Sequence, residues 1–257
     1  MTTTYKFRLY PRKEQFDKLD LSLEICRQTY NNLLAGLDEK FTKNELQNYI
    51  LDLKVVFPEM NNVHSKVLQM ENQRLFGNLS GLSAYKKKGN KVGRLRFKGK
   101  NWFKTFTYNQ SGFKLTSIKN KKGILFLSKI GYIPIKLHRQ VEGKIKSITI
   151  KKSNNKWYAS IITDGDIKRE CGSGEIGIDL GIENYIYDSN GNAYENPKHF
   201  DNYHNELKIA QQSFSRKTKG SNSRKKARIK VAKIHEKIAN ARNDFIHKLS
   251  TKINKRE

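Results

Sequence analysis

Acids and cysteines are scarce in this chain of 257 residues, and long apolar runs are missing altogether. Cys26 and Cys171 stand alone with no C-x-x-C pair, which argues against a disulfide framework and against a zinc site. Six histidines are scattered; His199 and His204 are five apart with no acid at ligand spacing, so all six read as surface or core residues. No stretch reaches the ~20 apolar residues of a spanning helix, and MTTTYKFRLYPRK has no signal-peptide apolar centre. A soluble, intracellular (prokaryotic cytoplasmic, nucleoid-associated) protein is expected. G-x-x-x-x-G-K-S/T, G-x-S-x-G and H-E-x-x-H do not occur, which removes three common routes to hydrolysis.

What is present in excess is positive charge. The chain has 51 Lys+Arg against 24 Asp+Glu, a formal charge of +27 and a pI near 10.0. Neutralising phosphates releases condensed counterions, so such an excess points to a polyanionic partner. A merely solvated basic surface is the plain alternative. With 36% hydrophobic residues the chain can bury a real core, in two or three lobes.

Along the chain, TYKFRLY at 4–10 alternates like a strand that Pro11 ends. Phe16, Leu19, Leu23, Cys26, Tyr30, Leu33 and Leu37 then recur at helical spacing. Residues 42–85 continue in helical periods, broken at Phe57-Pro58 and resumed near Asn61, with Lys66, Gln69, Gln73 and Arg74 on the polar face. From residue 86, Lys and Arg interleave with Trp102, Phe103, Phe106, Tyr108 and Phe113. Strand-like runs follow at 124–128, 132–137, 144–151 and 156–163. Short antiparallel strands of this texture suit a small barrel that tracks a nucleic-acid backbone and stacks bases, although the aromatics could equally form its core. Trp157 and Tyr158 are assigned to the core. Arg94, Arg96 and Lys98, beside glycines 93 and 99, are assigned to phosphate contact, and with them Lys6, Arg8 and Lys100.

Residues 175–197, EIGIDLGIENYIYDSNGNAYENP, read as a three-strand meander turning at Gly181 and Ser189-Asn190-Gly191. Ile176, Ile178 and Leu180 share one face of its first strand; Asp179 takes the other. A meander with an inward carboxylate opens the ribonuclease-H-like fold, whose acids hold divalent ions against a phosphodiester. The letters GIDLG also open the phosphate loop of actin-like ATPases, and an Asp serving only a turn is the bland reading. Farther on, Ala227, Val231, Ile234, Ile238, Ala241, Phe245 and Leu249 mark a long amphipathic helix. Residues 203–257 hold 16 Lys+Arg against 4 Asp+Glu. The dense run RKTKGSNSRKKARIK suggests a backbone-tracking helix through Arg224, Lys225, Lys226 and Arg228.

The blocks YKFRLYP, RQTYNNLL, GRLRFK, KIKSITI, KWYAS, GIDLGIEN, NGNAYENPKHF and ARIKVAKIHEKIANARNDFIHKLST occur in order. Together they resemble the TnpB (OrfB-type) proteins of insertion elements. The resemblance implies an α+β fold in several lobes: a β-barrel wedge-type domain (1–13 and 86–172), an inserted helical lobe (14–85), and the first part of a RuvC-type ribonuclease-H-like domain (173–257). It also implies guide RNA and DNA as partners, Mg2+ or Mn2+ as cofactor, and RNA-guided DNA cleavage with Asp179 as the first metal-binding carboxylate. Relatives continue into a Glu-bearing strand, paired C-x-x-C motifs and a last catalytic Asp. This sequence stops at STKINKRE, and its other acids match none of those positions. The expectation is therefore a truncated, catalytically incomplete chain, with a nuclease-dead regulator or a decayed remnant as alternatives.

Overall fold

The computed structural model describes residues 2–37, 42–100, 102–118, 120–165 and 174–254; Cys171 and the expected boundary at 172/173 lie outside them. The chain divides into two compact units, residues 1–167 and 168–257.

In the first unit, alternation makes β1 (Thr2–Leu9): Tyr5, Phe7 and Leu9 are buried while Lys6 and Arg8 take the opposite face. After Pro11, the Arg12 N–H donates to Gln15 Oε1 at 3.0 Å and opens α1 (Lys13–Gly36). The stripe from Leu19 to Leu33 is buried, with Phe16 and Leu37 packed beside it. A reciprocal Thr42–Glu45 capping box starts α2 (Lys43–Val56). The expected break falls at Phe57-Pro58, where a 3-10 turn (Pro58–Asn62) leads to α3 (Ser65–Lys87).

Six further strands follow: β2 (Thr105–Asn109), β3 (Phe113–Ile118), β4 (Lys122–Leu127), β5 (Gly131–Lys136), β6 (Lys144–Ser153) and β7 (Lys156–Asp164). With β1 they form a seven-stranded antiparallel sheet in the order β2-β6-β7-β1-β5-β4-β3. The architecture is mixed α and β, an α+β arrangement in which helices and sheet share one core. Trp157 sits in it as expected, edge-on to Phe16 and Phe106. Lys152 ties β6 to α1, its Nζ 2.6 Å from Asp20 Oδ2. Tyr158 corrects the expectation of a core residue. It follows Trp157 on an alternating strand, so it must face the other way, and it lies half-buried on the outer side.

In the second unit the meander forms as β8 (Ile178–Asp179), β9 (Asn184–Asp188) and β10 (Ala193–Glu195), ordered β10-β9-β8. The first strand is only two residues long, shorter than the apolar alternation implied. Ile178, Leu180 and Ile182 are 49%, 71% and 89% exposed, so no core holds that alternation in register. Gly181 makes the reversal, since a Cβ there would come 2.7 Å from the Asn184 carbonyl oxygen. Helix α4 (His199–Ser215) was not anticipated; its buried Leu207 and Ala210 pack on Ile234 and Ile238 of α5 (Asn222–Asn254). Nearer its C-terminal end, Leu249 and Ile253 of α5 pack beneath Ile186 and Tyr194.

Candidate functional site

Strand register brings together cations from distant parts of the first unit. Lys122 pairs with Lys136, Lys136 with Arg8, Arg8 with Tyr158, Tyr158 with Lys151, and Lys151 with Thr105. These residues alternate with buried neighbours, so all lie on the outer face. The result is one row crossing the sheet from β4 to β6, about 19 Å at the usual ~4.8 Å strand spacing. Within the row Tyr158 is flanked by Arg8 and Lys151, and the Lys6 ammonium lies 4.9 Å and the Arg8 guanidinium 5.2 Å from its ring. Arg8 Nη1 also donates to Tyr158 Oη at 3.3 Å. A depression of about 340 Å³ opens here, with Lys136 and His138 on its walls. Burial, and then the charges of Arg139, Lys136 and Lys121, hold the His138 pKa below its ordinary value. His138 therefore adds a neutral donor–acceptor rather than further charge.

Arg94, Arg96, Lys98 and Lys100 lie on an irregular segment between α3 and β2. Its anchor is the Lys98 main chain: the carbonyl accepts from Arg27 Nη1 (2.9 Å) and Asn31 Nδ2 (3.1 Å), while the N–H donates to Asn31 Oδ1 (2.8 Å). Arg94, Arg96 and Lys100 are exposed, as are Phe97 (63%) and Trp102 (84%). The aromatics of this stretch therefore split. Phe103, Phe106 and Tyr108 belong to the core and Phe113 packs against it, while Phe97 and Trp102 face solvent.

Of the four cations expected at the start of α5, Arg224 is engaged internally. Its Nη1 donates to the Phe214 and Lys217 carbonyls at 3.1 and 2.7 Å, and the guanidinium lies 4.2 Å from the Phe214 ring. It thereby satisfies acceptors at the C-terminal end of α4. Lys225, Lys226 and Arg228 are exposed. Lys226 also begins a stripe with Lys230, Lys233 and Lys237 at helical spacing. Lys225, in the first turn, opposes the macrodipole and lies 3.4 Å from Asn222 Oδ1.

Asp179 is exposed and opposite Tyr187. The nearest acid in register, Asp188, pairs with Ile178 and so faces the other side of the sheet. Asp188 is occupied: Oδ1 accepts from the Asn190 and Asn192 N–H groups at 3.1 and 2.7 Å, and Oδ2 from Asn192 Nδ2 at 2.9 Å. Burial pushes its pKa up, but the hydrogen bonds from Asn192, Asn190 and Tyr194 outweigh that and lower it. It closes the turn before β10. Among the described residues, no three His, Cys, Asp or Glu come together in a way that could hold a metal ion. The described residues do not fit a two-ion centre.

The residues missed in sequence were Lys122, Lys136, Lys151 and Tyr158. Each sits at a non-core position of its strand, and that alternation was the available signal.

Residues 161–257 match the OrfB_IS605 family model, described as a probable transposase. Residues 1–45 match the helix-turn-helix model of the same OrfB_IS605 type. The chain is a TnpB/OrfB-type protein. It is similar to a protein of Escherichia coli (strain K12) named as the RNA-guided DNA endonuclease InsQ, 28% identical over 263 residues. A Streptomyces pristinaespiralis protein named as an RNA-guided DNA endonuclease is also 28% identical, over 260 residues. These alignments cover 98% and 97% of this chain but 63% of each relative; the OrfB-type chain spans under two thirds of either. Residues 1–45 hold β1, α1 and only the first turn of α2 beyond the undescribed 38–41.

Proposed function

We propose that this OrfB-type chain is a nucleic-acid-binding protein that holds a guide RNA and engages DNA, with the first unit's outer sheet face as its principal phosphate-tracking surface. The observation that carries this is the cross-strand row of Lys122, Lys136, Arg8, Tyr158 and Lys151. Four cations set along one sheet face, with the Tyr158 ring in the same row, match the backbone-and-base chemistry of a single strand. The similarity to proteins named as RNA-guided DNA endonucleases supports RNA and DNA as the partners. In this reading 1–13 and 86–172 form a wedge-type barrel, 14–85 the helical lobe, and 173–257 part of a RuvC-type fold. Asp179 would then be its first metal-binding carboxylate, with Mg2+ or Mn2+ as the hard cation suited to such oxygen ligands. The described residues assemble no metal site; what the cationic row supports directly is binding.

The test pairs two assays on the purified chain. Fluorescence anisotropy should show tight binding to structured and single-stranded RNA. With magnesium and guide RNA, cleavage of matched plasmid should equal that of Asp179→Ala. Cleavage abolished by Asp179→Ala would overturn the binding-only reading.

A further inference from the structure

A cavity of about 440 Å³ lies within the second unit, between the loop after β8, the residues before α4 and the 242–246 turn of α5. That volume is in the range of small-ligand sites. Its floor is aromatic: Phe245 meets Tyr185 edge-to-face at 5.1 Å and His199 at 5.9 Å. Its mouth is apolar and open, with Ile182 89%, Ile246 44% and Phe200 40% exposed.

The walls are tied before any ligand arrives. Asn196 Nδ2 donates to the Ile182 carbonyl at 3.0 Å, and Asn196 Oδ1 accepts the Lys198 N–H at 3.1 Å, so one side chain locks two loops together. Asn202 Nδ2 fixes the Pro197 carbonyl from α4 at 3.2 Å. Lys198 takes a left-handed backbone (φ 44°) between them, a conformation uncommon for a non-glycine residue. Lys198 and Arg242 are exposed at the rim, and Asp201 is the one carboxylate among the described residues that line the cavity.

A preformed aromatic cavity with an apolar mouth and two cations suits a flat heteroaromatic ring attached to phosphates. We propose that this cavity receives one unstacked nucleobase of a single-stranded polynucleotide, with its flanking phosphates on Lys198 and Arg242. The proposal rests on the nucleic-acid reading above and adds a base-holding site to it. Backbone contacts on the sheet and on α5 tolerate any sequence; a base held in this cavity would fix the position of the strand on the second unit.

The test uses the full chain and a single-stranded oligonucleotide carrying one 5-iodouracil, irradiated and mapped by peptide mass spectrometry. Crosslinks are expected at Tyr185, Phe200 or Phe245. Ile182→Glu, at a side chain too exposed to matter for folding, should cut their yield by about tenfold, while affinity by anisotropy weakens only about two- to threefold because backbone contacts dominate it. Arg242→Ala should lower the same crosslinks. Unchanged affinity with crosslinks confined to other regions would overturn the cavity and leave nucleic-acid binding standing. Failure of the oligonucleotide to bind at all would overturn both. Loss of the crosslinks on adding an equal concentration of uridine monophosphate would mark a free-nucleotide site and overturn the assignment to a strand.

Discussion

Among the described residues of 1–167, thirty-two buried apolar side chains join into one core beneath the cationic row. Among the described residues of 168–257, one cluster of four buried residues supports the meander and another of four joins α4 to α5. Both units display lysine and arginine, but on different foundations. On the sheet, each cation's place is set by register with strands from distant parts of the chain, so the charges are locked at strand spacing. On α5 they ride a helix whose hold depends on eight buried side chains and on Arg224. The first arrangement is built for fixed geometry; the second can carry charge without fixing it finely.

The largest expected effect comes from attacking the two cores in turn. Trp157→Ala removes the largest fully buried side chain and should cost about 3–5 kcal/mol, collapsing the first unit's urea transition. Leu249→Ala, in a small cluster at 6% exposure, should cost about 2 kcal/mol. Native-state hydrogen exchange should show amides of β1, β6 and β7 far better protected than those of β8 and β9. Equal protection would break the comparison.

A pH experiment sharpens it on the first unit's side. Glu71 is fully buried with Arg74 Nη1 3.0 Å from its Oε2. Burial raises its pKa to about 8 against the lowering pull of Arg74. The folded state therefore keeps a proton that the unfolded chain releases near its ordinary value. The stability this group contributes is full below about pH 4.5 and is lost as pH rises through about 8. Chemical denaturation at pH 5 and pH 8 should show Glu71→Gln gaining on the native chain at the higher pH by up to a few kcal/mol. A pH-independent difference would show that Arg74 holds Glu71 ionised.

A smaller effect is expected from Arg224→Ala, which frees two carbonyls at the end of α4. It should destabilise the second unit by about 1–2 kcal/mol and lower its thermal midpoint. A variant that changes RNA affinity without changing stability would return Arg224 to the phosphate contacts expected in sequence.

Much of this was readable from residue spacing. The α1 stripe, the break at Phe57-Pro58, the burial of Trp157 and the turn at Gly181 each follow from local chemistry. What local chemistry could not supply was partnership across the chain. Tyr158 becomes part of a cationic row only because β1 inserts between β7 and β5, a pairing across about 150 residues that no short-range pattern encodes. Helix α4 was overlooked although Tyr203, Leu207, Ala210 and Phe214 recur at helical spacing, because polar residues fill most of the positions between them. For Asp179, sequence placed an acid on the meander's first strand; its alternation with Ile178, and of Asp188 with Tyr187, then puts the two acids on opposite faces.

The cationic row is the feature on which single-strand binding turns. The direct measurement is the salt dependence of single-stranded RNA binding, for the native chain and for Arg8→Ala/Lys136→Ala/Lys151→Ala, with circular dichroism confirming that both are folded. Each phosphate contact on a single strand contributes about 0.7 to the slope of log affinity against log salt, so losing three cations should flatten it by about 2. An unchanged slope would place the polyanion elsewhere on the chain.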